Sequence, residues 1–400
     1  MNSAFFTANR ARLLEALGGQ AMVVATAYHE MQRSNDASFL FAQEANFRYL
    51  TGITAPDWRL IIDGYHDRSY AVMPEVDAIK QVFDGSLSAE QAQQVSGVDE
   101  VIDSEQASAL LRRLAKKTKT VHIVDQSSRL ASAGFVLNPA HSELREQMGR
   151  YFRETKNCFV ELARLRAIKQ PVEIAALQRA IDITVDGFRI LRAELDTYRH
   201  EYEAEARLHY EFRRVGAQGH AYDPIVGDGE HACTLHYVAN DATLVRRSLL
   251  LIDAGAQWQG YAADITRTYS VGQPTRRMRA VHAAVHGVQQ AVIALCRPGT
   301  PLIELQETAE RETAKALATL GLAHDDDAVR RYFPHAIGHG LGLDVHDSLG
   351  GYDTLQPGMV LTVEPGLYIR DEKIGVRIED DILITPDGHR NLSGQLSTDL

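Results

Sequence analysis

The chain has 400 residues, 45% hydrophobic and 24% charged, with 42 basic against 53 acidic side chains and a formal charge of −11. That length accommodates two domains with a core each, and the acidic balance speaks against a broad nucleic-acid surface or a polybasic membrane anchor. No apolar run approaches the ~20 residues of a membrane span, no basic-then-apolar leader is evident, and the scattered Cys158, Cys233 and Cys296 suit a reducing compartment. A cytoplasmic protein without nucleic-acid or membrane partners is expected.

In chain order, residues 4–17 read as a helix stopped by Gly18-Gly19, residues 21–25, 60–63 and 121–125 as buried strands, and residues 107–117 as a basic helix. This alternation predicts an α/β layer domain. The short basic run over 112–117 is read as a solvated helix face rather than a nucleic-acid site. From Ile174 the apolar series Ile174, Leu177, Ile181, Phe188, Leu191, Leu195 steps by three and four, one face of a long helix. Pro171 fits its first turn, where a missing N–H costs nothing. The boundary is therefore set after residue 168, giving domains 1–168 and 169–400. In the second, residues 198–215, 277–296 and 303–320 read as helices and 248–253, 359–363 and 381–384 as strands, with glycine turns between. That mixture predicts an α+β domain with a largely antiparallel sheet.

Four carboxylates stand at the ends of apolar strand-like runs: Asp253, Asp264, Glu364 and Glu379. A carboxylate in such a place is costly unless it is paired or binds a metal. Three histidines, His335, His339 and His346, lie within twelve positions of a segment broken by Gly338, Gly340 and Gly342, so that segment is expected to be a loop whose backbone packs close to a site. Two aspartates, two glutamates and a histidine make a hard, oxygen-rich set, suited to two divalent ions and leaning to Mn²⁺, with Zn²⁺ or Co²⁺ as alternatives. Such ions polarise a carbonyl and activate a water, which implies hydrolysis. A di-iron helix bundle needs Glu-x-x-His pairs on helices, and none occurs among these carboxylates. Arg377 precedes Glu379 by two residues, so on a strand both side chains face one way, and an ion pair is the simplest reading of it.

The segments IDAG (252–255), GYAADITRT (260–268), PHAIGHGLGLDVHD (334–347), LTVEPGLYI (361–369) and GVRIEDDILIT (375–385) together resemble the pita-bread metallopeptidases. Within them the likeness is to the Xaa-Pro peptidases, prolidase and aminopeptidase P. It covers the chain from about residue 168 to the end and extends more weakly over the N-terminal domain, where NFRYLTG (46–52) takes part. The resemblance implies that Asp253, Asp264, His339, Glu364 and Glu379 hold two metal ions, that Asp264 and Glu379 bridge them, and that Glu364 is the general base. It further implies that His346 stabilises the oxyanion, that His335 positions substrate, and that His236 in TLHY (234–237) is a further substrate-side histidine. Arg377 resembles an arginine that grips a substrate carboxylate, Tyr222 a tyrosine lining the pocket, and Asp36 a weaker candidate for a partner of Arg377. Chain length of about 400 and the short tail favour a proline dipeptidase acting on Xaa-Pro. The alternatives are an aminopeptidase P acting on longer Xaa-Pro-Yaa peptides and a metal-free pita-bread hydrolase or binding module. A homodimer is expected by the same resemblance, with the N-terminal domain able to reach a neighbouring active site.

Overall fold

All five residues of the strand Met22–Thr26 are buried, because helices cover both faces of the sheet in which it lies. The computed structural model describes residues 1–125, 136–323, 325 and 327–400, which divide into the units Met1–Leu165 and Arg166–Leu400. In the first unit six strands run in the order Glu100–Ile102, Arg68–Val72, Arg59–Asp63, Met22–Thr26, Thr120–Ile123, Glu154–Asn157. Met22–Thr26 pairs antiparallel with Arg59–Asp63 and parallel with Thr120–Ile123, so the sheet is mixed. On one face, Leu110, Leu111 and Leu114 of helix Ser104–Ala115 and Leu144 and Met148 of helix Ala140–Tyr151 close over Met22, Val24, Ile61 and Val72. On the other, helix Ala45–Thr51 packs on Met22–Thr26 and also touches helix Ser3–Ala16. This is the α/β layer architecture that the alternating pattern predicts.

The second unit is organised by helix Pro171–Glu194, with Pro171 in the first turn and Leu177, Ile181, Phe188 and Leu191 all buried. Its period of three and four is the signal of an apolar face pressed on a broad surface. Every strand pair here is antiparallel, but the strands form several small sheets rather than one. Ser248–Ala254 lies between Ile225–Asp228 and Ile265–Val271; Asp380–Thr385 lies between Val360–Val363 and Gly388–Asn391; Gly366–Ile369 pairs with Ile374–Arg377. Helices Arg276–Ile293 and Leu302–Leu320 pack against each other and supply Val281, Val285, Val288, Val292 and Leu317 to two apolar clusters beneath these sheets. Residues 334–347 contain no helix and no extended strand, as their glycines predict. No described helix is long and apolar enough to cross a membrane.

Candidate metal centre and active site

Register brings the acidic residues together. Asp253, at the end of its strand, faces Thr266 across the pair, so Asp264 lies just before the same level of the neighbouring strand. The turn between them is tight: a Cβ on Gly255 would stand 1.7 Å from the Ala263 carbonyl oxygen, so only glycine lets the chain fold back here. Glu364 follows Val363, which pairs with Asp380, and Glu379 immediately precedes Asp380. The backbone N–H of Glu379 donates to the Thr266 carbonyl at 3.1 Å, and that of Glu364 to the Ile337 carbonyl at 2.9 Å. The carboxylates thus converge from two sheets beside the histidine loop.

One oxygen each from Asp264 and Glu379 and a ring nitrogen of His339 lie within 4.8 Å of one another. His339 Nδ1 donates to the Gly340 carbonyl at 3.0 Å. That bond leaves Nε2 as the lone-pair nitrogen, yet it points at Asp264 Oδ2 at 3.5 Å and Glu364 Oε1 at 3.4 Å. A lone pair facing two carboxylate oxygens is repulsive unless a cation or a proton lies between them, and an imidazole held by its other N–H on a carbonyl is the usual preparation of a metal ligand. Asp253 borders the group: the Tyr222 hydroxyl is 2.5 Å from both Asp253 Oδ1 and Asp264 Oδ1. The residues present therefore fit divalent ions.

The electrostatics agree. Burial, reinforced by Asp253, Asp381 and Glu364, holds the Asp264 carboxyl well above the usual carboxylate range. Burial and the charge of Asp264 do the same to Glu379, and burial pushes Glu364 up to about 7 against the lowering effect of Arg377. Without cations this cluster holds protons instead of full charge. His335 and His339 are each pushed down to about 4, first by burial, and His346 is also lowered.

Arg377 ends the strand Ile374–Arg377, and Glu379 lies in the break before the next one, so the two do not share a strand as the two-residue spacing predicts. They are joined through Thr266, whose hydroxyl receives Arg377 Nε at 3.2 Å and donates to Glu379 Oε2 at 2.6 Å. The guanidinium is buried, with Nη2 2.5 Å from Asp253 Oδ2 and Nη1 2.9 Å from the Tyr368 hydroxyl. All three nitrogens thus have protein partners, and the carboxylate on Arg377 is Asp253. Asp36 belongs to the N-terminal unit, exposed at the turn between the strands Gln32–Ser34 and Ala37–Ser38.

His335 Nδ1 donates to the Ala336 carbonyl at 2.8 Å, so Nε2 accepts from the Tyr368 hydroxyl at 2.9 Å. Both of its nitrogens are thereby used within the protein. The His346 ring meets the edge of His339 with centroids 4.2 Å apart. His236 is exposed in a turn, near enough for its charge to lower both His335 and His346. Thr266 and Tyr368 escape the sequence reading. Each lies in a segment that carries the resemblance, but nothing in composition or period says that either hydroxyl reaches the acidic cluster.

Residues 175–386 match metallopeptidase family M24, and residues 6–124 match the aminopeptidase P N-terminal domain. The chain belongs to metallopeptidase family M24. Its second unit is thus a pita-bread metallopeptidase fold, a family whose members use divalent metal ions. The chain is 33% identical to Xaa-Pro aminopeptidase of Escherichia coli over 98% of its own length and 94% of the relative's. It is 32% identical to human Xaa-Pro aminopeptidase 3 over 90% of its length and 75% of the relative's. The solved structure of E. coli aminopeptidase P with the inhibitor Pro-Leu superposes with a TM-score of 0.86 at 30% identity, covering 99% of this chain and 96% of that one. Proline aminopeptidase P II from Yersinia pestis does so with a TM-score of 0.85 at 32% identity, covering 100% and 98%. These relatives favour the aminopeptidase alternative over the dipeptidase expected from chain length. The length argument fails because Xaa-Pro aminopeptidases of similar length match from end to end.

Proposed function

We propose that this chain removes the N-terminal residue from peptides whose second residue is proline, using two divalent ions of which Mn²⁺ is the first to test. The observation that carries the reading is end-to-end similarity to Xaa-Pro aminopeptidases together with a lone-pair histidine nitrogen turned toward the carboxylates of the acidic cluster. Asp253, Asp264, His339, Glu364 and Glu379 would hold the ions. When bound, the ions supply Lewis-acid polarisation of the scissile carbonyl and a lowered pKa for the attacking water.

The remaining chemistry belongs to the chain. Glu364 accepts the proton of the attacking water; its Oε1 receives only a long bond from the Thr362 hydroxyl at 3.3 Å, and no hydrogen bond from a described residue reaches Oε2. His346, exposed beside His339, donates to the oxyanion, and His236 approaches from the same side. His335 and Tyr222 shape the wall against the substrate. An Xaa-Pro bond lacks the N–H that most peptidases engage, and the ring fixes φ, which is why a dedicated site is needed.

A dipeptidase reading needs a residue that grips the free carboxylate of Xaa-Pro, and Arg377 was the candidate. Its burial and its bonds to Asp253, Tyr368 and Thr266 support a positioning role in place of that one. The test compares Leu-Pro with Leu-Pro-Pro in Mn²⁺. A kcat/KM at least about ten-fold higher for the tripeptide is expected. Preference for Leu-Pro would reverse the choice between the two, and cleavage of neither would reject the activity.

A further inference from the structure

The loop that carries His339 and His346 is held at its two ends by different means. At the His339 end the backbone is stitched to the strand Val360–Val363: Thr362 N–H donates to the His339 carbonyl at 2.9 Å, and Leu341 N–H to the Val360 carbonyl at 3.0 Å. At the His346 end a backbone bond is joined by a side-chain anchor. Asp347 is buried; its N–H donates to the Gly340 carbonyl at 2.8 Å, and its Oδ1 receives Arg166 Nη2 at 2.9 Å and the Ser348 N–H at 2.8 Å. Arg166 also bridges to Asp344 Oδ2 at 2.7 Å, inside the same loop.

A second cation faces the other carboxylate oxygen. Lys169 Nζ, on a side chain 1% exposed, lies 3.8 Å from Asp347 Oδ2 and has no hydrogen-bond partner among the described residues. The loop leaves room for this: a Cβ on Gly342 would stand 2.0 Å from Asp347 Oδ2 and 3.2 Å from Lys169 Cε. A buried ammonium without a hydrogen bond is costly, and removing one member of such a group leaves an uncompensated charge. Nothing in the metal set uses Arg166, Lys169 or Asp347.

From this arrangement we infer that Arg166, Lys169 and Asp347 form a buried ionic anchor that positions His346 over the reacting bond while leaving the metal ligand His339 to its own backbone supports. The inference rests on the role of His346 proposed above, and two independent readouts separate the failure of one from the failure of the other. The first is hydrogen exchange of the amides over 343–348 in the metal-loaded protein. Asp347→Asn, which keeps shape but removes the charge, should speed their exchange by about ten-fold or more while the rest of the unit is unchanged. Lys169→Met, a near-isosteric apolar change, should shift it in the same direction to a smaller extent, and serves if Asp347→Asn fails to fold.

The second readout is a double-mutant cycle. Asp347→Asn should lower kcat about ten-fold or more with KM held within about three-fold and metal content unchanged. In the His346→Ala background the same substitution should cost nothing further, because residues acting as a unit are non-additive. Unchanged exchange in both variants would overturn the anchor. Multiplicative losses, or loss of metal in Asp347→Asn, would overturn its specific action through His346. If the wild-type chain cleaves no Xaa-Pro peptide, the proposed function falls, and the exchange experiment still decides whether the anchor holds the loop.

Discussion

Arg377 and Asp253 form a buried ion pair, Nη2 to Oδ2 at 2.5 Å, in which the arginine ends one strand and the aspartate lies near the end of a strand in another sheet. Nη1 binds Tyr368, which in turn donates to His335, while Nε binds the Thr266 hydroxyl that donates to Glu379. One guanidinium thus orients a proposed metal ligand on each side and a proposed substrate-side histidine. Arg377→Met should destabilise the metal-stripped protein by about 3 kcal/mol, since the partners of a broken buried pair stay in place. Chemical denaturation in EDTA checks this. Arg377→Lys should rescue only in part, because an ammonium cannot reproduce a three-way planar fork.

Metal removal should leave a characteristic pH dependence. In the stripped protein burial raises Asp264, Glu379 and Glu364, the last to about 7. At these carboxyls the folded chain then binds more protons than the unfolded one, so their contribution to stability is full below the ordinary carboxylate values and falls as pH rises from about 4.5 through about 7. Glu364 alone accounts for a loss on the order of 3 kcal/mol. Thermal melts with and without EDTA at pH 5 and pH 8 should show the larger EDTA-induced fall in Tm at pH 8, a comparison in which the metal-independent histidines cancel.

His220 gives the opposite slope. Its ring contacts Phe212 and His209, neither nitrogen has a hydrogen-bond partner among the described residues, and burial pushes its pKa down to about 4. The unfolded chain takes up a proton near 6.5 that the folded one refuses, so stability present at neutral pH is lost as pH falls from about 6.5 to about 4, by up to roughly 3 kcal/mol. His220→Phe should flatten that limb. Urea denaturation of holo protein across this range, compared with wild type, measures the difference.

Gly255→Ala tests the turn between the two aspartates. The added methyl has no room beside the Ala263 carbonyl, so either strand end must shift, at a cost of about 3 kcal/mol. The expected result is reduced metal stoichiometry by elemental analysis with largely native far-UV circular dichroism. Full metal occupancy at wild-type affinity would show that the turn tolerates the shift.

Much was legible before any fold was known. The alternating runs of the first domain, the three-four periodicity from Ile174 and the place of Pro171 are local patterns, and local patterns specify elements directly. The strand-end carboxylates and glycine-spaced histidines were visible as chemistry without a home, because buried charge needs a reason. The choice between dipeptidase and aminopeptidase was not legible in this way. Chain length says nothing about what a pocket can hold, and the partners of Arg377 lie more than a hundred residues away at Asp253 and Thr266.

What the sequence by itself determined was therefore the residue types, their order and the elements that carry them: a hard-ligand set on strand ends and a glycine-loosened histidine loop. Tertiary structure alone decided which atoms face one another. Register set Asp253 opposite Thr266, the break at Glu379 let its side chain and that of Arg377 meet on one hydroxyl, and the pocket beside Gly342 admitted Asp347 between Arg166 and Lys169. These contacts join residues far apart in the chain, through distances and angles that no local pattern encodes. That is why the carboxylates and histidines of the cluster could be read in advance and the groups that orient them could not.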